Sequence, residues 1–488
     1  MACGGNIHWF DFTCNKEAET MTEKILGLIP VDWRFELTSL PYVRKIIKSR
    51  WMPFLPIVLN LSVFTIILMA GFVGGVSAGN YNFGIMFVWI VWWLLLMMVM
   101  VPFFSRIWCM ICPLPAFGEW LQRLGFMKVR NKLFGLNKKW PKALKNMWLV
   151  NFLFLGTTYT TGFLTTRPIA TFILLMSIII GSIVLMAVFE KRNFCKYIGC
   201  PVGGFLGLYS NMAVTEIRAK DPQICKDHKH KDCVIGNEKG HACPWMILPF
   251  DIGRNTYCGM CLECFKTCPY DNMAINLRPP ATDLLVDKNR GLDEAWKAFI
   301  MLGIAIFFFL IMQGNMGFLK DWANAKTTEG YLTFVVLHSI FNLLLIPGVF
   351  FVFVYASRTL GNKEIPLKKL FTNFSYTLVP MGLIAWIAFS FGILFPNSSY
   401  VLHVISDPFA WGWDLFGTAH FPWTPFLTGV MPYFQIGTLL FGLVLSLDIG
   451  FKISKQTFQK RDEAVRGFIP IAAFLTAVTI FLIWLFTG

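Results

Sequence analysis

The chain has 488 residues, 56% of them hydrophobic and 15% charged, with 49 Phe and 18 Trp, a balance far too apolar for an ordinary water-soluble protein. Its net charge of +15 does not read as nucleic-acid binding, because no basic stripe with interleaved aromatics lies in a polar segment. Thirteen cysteines are an odd total that excludes a simple disulfide framework.

The first fifty residues are polar and mixed, with no charged n-region followed by a small-residue cleavage site, so a signal peptide is not expected. Beyond them, stretches of about 18 or more nearly uncharged residues recur, each long enough to cross a hydrocarbon core of roughly 30 Å. They run approximately over 54–76, 83–104, 148–166, 169–189, 297–318, 332–355, 374–395, 432–450 and 467–486, which predicts about nine transmembrane helices. Lys and Arg cluster in alternate connections: Arg44, Lys45, Lys48 and Arg50; Arg106, Arg123, Lys128, Arg130, Lys132, Lys138 and Lys139; Lys191 and Arg192; Lys363, Lys368 and Lys369; Lys452, Lys455, Lys460 and Arg461. Connections 77–82 and 397–431 are poor in both. Retention of positive charge on the inner side therefore places the N-terminus and the basic loops in the cytoplasm, in the inner membrane of a prokaryote.

This topology puts eleven cysteines, Cys109 to Cys268, in one reducing compartment, where metal binding is the better reading. Cys3 and Cys14, in the N-terminal arm, are read as ordinary thiols. Two motifs fall where helices leave the membrane. One is S-R-I-W-C-M-I-C-P, with Cys109, Cys112 and Pro113; the other is K-R-N-F-C-K-Y-I-G-C-P, with Cys195, Cys200 and Pro201. Each is a basic residue, an aromatic, two Cys and a Pro, so the first four spans read as two related hairpins whose four thiols meet at the inner surface. Four thiols suit a cluster or a zinc ion equally.

The strongest motif follows. Cys258, Cys261, Cys264 and Cys268, with Pro269, stand in the order C-x2-C-x2-C-x3-C-P, the form of a ferredoxin-type 4Fe-4S loop, in which three closely spaced thiolates wrap three corners of the cube. Structural zinc sites instead pair two separated C-x2-C knuckles. Upstream, Cys225, Cys233 and Cys243-Pro244 resemble the first half of a two-cluster ferredoxin, stretched. Carried over by position, Cys243 joins Cys258, Cys261 and Cys264, because in such ferredoxins the Cys before Pro serves the other cluster. Cys268 then joins Cys225 and Cys233, with a fourth ligand among His228, His230, His241, Asp227, Asp232 or a membrane-edge Cys. The alternative is a single cluster on Cys258, Cys261, Cys264 and either Cys243 or Cys268.

Over residues 54–290 the order of motifs resembles the membrane-bound polyferredoxins of the NosR/NapH type, which accompany nitrous oxide and periplasmic nitrate reductases. The resemblance implies a quinol dehydrogenase-like electron-transfer subunit, with a quinone or quinol and a protein redox partner at the cytoplasmic face, and further membrane or peripheral subunits. The family's paired motif is C-x3-C-P twice, which differs from the spacings here, and the five C-terminal spans lie outside the resemblance.

The expected architecture is a polytopic α-helical membrane protein with an inserted cytoplasmic ferredoxin-like domain. Residues 1–50 form a cytoplasmic arm, 51–194 a four-helix membrane module with duplicated Cys-Pro hairpins, 195–292 the 4Fe-4S domain and 293–488 a five-helix membrane module. Two 4Fe-4S clusters are expected, with one or three as alternatives. Haem b is not expected, since His338 is the one His within a predicted span. His338, with Gln313 and Asn315 at the end of the preceding span, is read as a quinone pocket, because an intramembrane ionisable group is a functional candidate by default. No catalytic constellation beyond redox chemistry stands out. The functional expectation is electron transfer between the quinone pool and a cytoplasmic partner; the alternatives are a redox maturation or metal-reducing factor for a membrane enzyme, and a zinc-bound anchor.

Overall fold

The computed structural model describes residues 23–76, 78–125, 133–198, 200–288, 290–312 and 317–487. Cys3, Cys14, Gln313 and Asn315 lie outside the described residues. The molecule is mainly helical, and eight of its described helices are long and apolar enough to cross a membrane. They are α1 (Trp51–Val73), α2 (Phe83–Phe104), α4 (Pro168–Val188), α6 (Leu292–Met312), α7 (Thr328–Leu360), α8 (Leu367–Asn397), α9 (Thr428–Thr457) and α10 (Arg461–Thr487). Helices α6 and α8 are 78% buried over their most apolar windows against 22% for α1, so they form the centre of the bundle. Their apolar character all round is what a helix enclosed by other helices requires.

The ninth expected span, 148–166, does not form one long helix. It is divided at Thr160 into α3 (Trp148–Tyr159) and a single turn, Thr161–Leu164. Its hydroxyls bond back to the chain: Thr157 Oγ1 donates to Phe154 O at 2.7 Å, Thr158 Oγ1 to Leu155 O at 2.6 Å and Thr160 Oγ1 to Thr157 O at 2.8 Å. Such back-bonding competes with the helical ladder and bends it. Elsewhere the ladder widens instead. Met86–Val91 and Leu95–Met100 of α2, Phe341–Leu345 of α7 and Phe194–Ile198 are π-helical, a geometry used mostly at functional positions.

Residues after α5 (Pro201–Tyr209) turn polar and cover one end of the bundle. Val214 N donates to Pro102 O at 3.0 Å, Thr215 Oγ1 to Phe103 O at 2.9 Å and Gln456 Nε2 to Leu285 O at 3.0 Å. The strands are few: β1 (Lys24–Ile25) pairs with β2 (Ile29–Pro30), and β3 (Phe35–Glu36) and β4 (Thr215–Ala219) flank β5 (Met273–Leu277), all antiparallel. The N-terminal arm thus supplies an edge strand to the sheet beside the ferredoxin motif. A buried ion network fixes that sheet to the motif. Glu216 and Asp283 pair with Arg218 and Arg278, and Asp283 Oδ2 accepts from Asn255 N at 2.6 Å, three residues before Cys258.

Candidate iron-sulfur centres

The two Cys-pair loops are built alike. After α2, Ser105 takes a left-handed φ of 59°, and after α4, Lys191 takes 57°. Each is followed at once by a buried arginine, Arg106 or Arg192, and three residues later by the first Cys of its pair. A short helical segment carries Cys109 or Cys195, the second Cys is extended, and Pro and a new helix follow. The arginines cross over. Arg192 Nη1 donates to Cys109 O at 2.6 Å, and Arg106 Nη2 donates to Gly203 O, beside Cys200, at 3.1 Å.

None of the eleven described cysteines is in a disulfide, and their thiols fall into three groups. Cys109, Cys112, Cys195 and Cys200 lie within electrostatic reach of one another where the two hairpins meet. Cys243 pairs by a thiol hydrogen bond with Cys261 and sits with Cys258 and Cys264. Cys225, Cys233 and Cys268 line one small cavity together with His228. Cys233 also lies near Cys264, so the second and third groups adjoin. Among the described residues no three Cys, His, Asp or Glu side chains converge as a single-ion site requires.

Burial dominates the thiol chemistry. It pushes the Cys112 thiol well above its usual range, an effect reinforced by Cys200, Cys109 and Cys195, and brings Cys200 and Cys233 up to about 11. Burial thus favours the neutral thiol at Cys112, Cys200 and Cys233, so a ligand that binds thiolate there must supply positive charge, whereas the thiol hydrogen bond from Cys261 lowers Cys243 to about 6. The donor set suits an iron-sulfur cluster in a second respect, because N–H groups are aimed at the sulfurs. Gly203 N points to Cys200 Sγ, and Asn272 N to Cys268 Sγ, each at 3.3 Å, and Asn272 Nδ2 reaches Cys225 Sγ at 3.3 Å. Hydrogen bonds to cluster sulfurs are a principal determinant of cluster potential.

The first two groups are joined by the arginines. Arg192 is held protonated against the cost of burial by Glu119 and lies near both Cys195 and Cys261; its Nε meets Glu119 Oε2 at 3.0 Å. Arg106 lies near both Cys200 and Cys258. It donates to Thr256 O and stands 4.5 Å over the Trp245 ring, and among the described residues it meets no carboxylate. Where the first hairpin places Glu119, seven residues after Cys112, the second places Gly207, seven after Cys200, against the Arg106 guanidinium. A buried guanidinium without a carboxylate is costly unless another anion faces it. Trp245 also presses on the motif loop: a Cβ on Gly259 would fall 1.9 Å from its Nε1, an atom with no partner among the described residues.

Of the other expected ligands, His230 and Asp227 are exposed. His241 lines a different cavity, with Glu119, Arg123, Cys261 and Glu263, its backbone N donating to Glu263 Oε2 at 2.8 Å. His338 is fully buried, ringed by Tyr159, Phe307 and Phe334, with Asn342 Nδ2 at 3.3 Å from its Nδ1.

Two cavities inside the bundle were not legible in the sequence. One, of about 630 Å³, opens beside Asn80, Thr166, Lys320 and Asn397, at the end away from the cysteines. The other, of about 150 Å³, reaches Trp108, Leu114 and Val202, one or two positions along the chain from Cys109, Cys112 and Cys200. They share the walls Trp89, Trp93, Thr161, Phe308 and Trp386. Along α2 the joint wall from Ile85 to Met97 covers roughly 18 Å at helical rise, and both π-helical segments of α2 contribute to it. Trp93 Nε1 is buried there without a partner among the described residues.

A family described as a 4Fe-4S binding domain matches residues 85–137 and 172–218. Each matched stretch contains one Cys pair and most of the helix before it, α2 or α4, and the Cys258–Cys268 motif lies outside both. No curated protein matches the chain, and no solved structure does. The fold and the match together define an iron-sulfur protein of ferredoxin type with eight helices able to cross a membrane.

Proposed function

We propose that this chain is a membrane-bound electron-transfer protein, passing electrons between a quinone within the bilayer and a soluble redox partner at the cytoplasmic, cysteine-bearing end. Residues 51–194 and 293–488 form its membrane modules, 195–292 its iron-sulfur domain, and 1–50 an arm that joins it. Cys109, Cys112, Cys195 and Cys200 hold one 4Fe-4S cluster; Cys243, Cys258, Cys261 and Cys264 hold a second; Cys225, Cys233 and Cys268 belong to a third. A 4Fe-4S cluster supplies a one-electron carrier.

One observation carries this reading: the thiol groups are contiguous. Arg106 and Arg192 each face both the first and the second group, Cys233 lies near Cys243 of the second and Cys268 of the third, and the bundle cavity ends at the first. The chain's residues do three things along this path. The arginines place positive charge between neighbouring thiol groups, the backbone N–H groups orient the sulfurs, and the cavity's aromatic walls exclude water. The cavity, with Trp93 Nε1 free to donate to a quinone carbonyl, supports a quinone site there; His338 is not among the residues that line it. The resemblance to the NosR/NapH type supports the same role.

The test is iron and sulfide analysis with an EPR-monitored redox titration on anaerobically purified protein in detergent, followed by addition of a short-chain quinone. Iron and sulfide in equal amounts, and reoxidation of the dithionite-reduced signals by the quinone, are expected. Protein kept anaerobic that contains no iron would sink the reading.

A further inference from the structure

Among the described residues the third thiol group has three cysteines where the other two have four. We infer that His228 completes it, giving this chain one cluster site held by three thiolates and one imidazole. The assignment rests on the iron-sulfur reading above and goes beyond it in naming the ligand and its consequence.

The placement comes from the cavity that Cys225, Cys233 and Cys268 share, whose remaining polar wall includes His228, Lys231 and Asn272. Asn272 fixes two of the thiols at once, its N on Cys268 Sγ and its Nδ2 on Cys225 Sγ, both at 3.3 Å. The Cys243 N–H donates to Cys233 O at 3.0 Å, holding the third. Cys243 itself is committed elsewhere, by its thiol bond to Cys261.

His228 is prepared as a ligand. Its Nε2 lies 3.1 Å from Asp232 Oδ2, and the Tyr270 ring meets it edge-on at 5.1 Å between centroids. A carboxylate on one ring nitrogen fixes the tautomer and leaves the other nitrogen, here Nδ1, with its lone pair free, the arrangement found behind metal-bound histidines. The side chain is 15% exposed, shielded as a ligand must be. The other histidines nearby fail on position: His230 is exposed, and His241 lines the separate cavity that holds Glu119 and Glu263 and not Cys225, Cys233 or Cys268.

Replacing a thiolate by a neutral imidazole removes one negative charge from the site, and such replacement raises cluster potential. The Lys231 ammonium, which bonds Cys225 O and Lys226 O, acts in the same direction. The imidazole therefore raises the potential of this site above that of an all-thiolate cluster in the same place.

The experiment is pulsed EPR on the reduced full-length protein labelled with 15N-histidine, with iron counted on each sample, for wild type, His228→Ala, His228→Cys and a Cys3→Ser/Cys14→Ser control. A nitrogen coupling to one cluster in wild type, lost in both His228 variants, is the expected result. His228→Cys keeps the iron and shifts that one midpoint potential downward, and His228→Ala lowers the iron content. Full iron with no nitrogen coupling in wild type overturns the ligand assignment and leaves electron transfer standing. So does loss of that cluster in the Cys3/Cys14 control with His228→Ala unaffected. Absence of iron in wild type overturns the electron-transfer reading and this inference with it.

Discussion

Glu119 shows how single side chains keep the cysteine-bearing end charged yet stable. Burial alone would raise its carboxyl, but Arg123 at 2.6 Å and Arg192 outweigh that and hold it at about 2 against an ordinary 4.5. A depressed carboxylate pKa stabilises the fold fully above the unfolded value, and that contribution is lost as pH falls through the folded one. Glu119→Gln leaves the Arg192 charge buried and poorly compensated, with an expected cost of about 3–5 kcal/mol. In thermal unfolding of apo protein, where cluster loss plays no part, the gap between wild type and Glu119→Gln should stay constant above about pH 4.5 and close between there and about pH 2. A gap unchanged by acid would show that Glu119 carries no charge-dependent stability.

Among the helices, the bundle cavity depends on irregular geometry. Periodicity does not foretell the π-helical stretches of α2, because their side chains are as apolar as those of a regular span. The break at Thr160 hides in a segment whose hydropathy reads as continuous. Composition could place the spans but not the empty volume between them, which depends on how Trp89, Trp93, Phe308 and Trp386 from three helices fail to fill it. By contrast the Cys258–Cys268 motif stands out in the sequence because its four cysteines are local, whereas the nearness of Cys243 to Cys261 could be expected only by ferredoxin analogy. The arginine crossover was not legible, because it joins residues about ninety positions apart. Thr161 sits at the neck shared by both cavities. Thr161→Trp, or Thr161→Phe if the larger side chain disrupts folding, should slow reoxidation by quinone at least about tenfold, equivalent to about 1.4 kcal/mol. Iron content and dithionite reduction should be unchanged; an unaltered quinone rate places the quinone site elsewhere, His338 being the next to examine.

At the scale of the whole molecule, the ends of the bundle differ in kind. One bears the thiols, the sheet and most of the exposed Lys and Arg. The other bears residues 407–427, with Trp411, Phe416, Trp423 and Leu427 exposed, the composition of a segment at headgroup level. Retention of basic loops inside predicts that a cysteine placed at exposed His230 reacts with an impermeant maleimide only from the cytoplasmic face, and one at exposed Thr424 only from the other. Labelling of both from one face would reverse or abolish the proposed topology.

The crossed arginines bear on how such a protein is made. Arg106 emerges from synthesis well before Gly203, Thr256 and Trp245, the groups that receive it, and Cys109 O waits for Arg192. A nascent chain that has inserted only its first hairpin has one of the two Cys-Pro pairs and a cation whose partners are not yet made. On the proposed reading, a cluster on Cys109, Cys112, Cys195 and Cys200 therefore needs both hairpins and the polar segment in place before its site is complete.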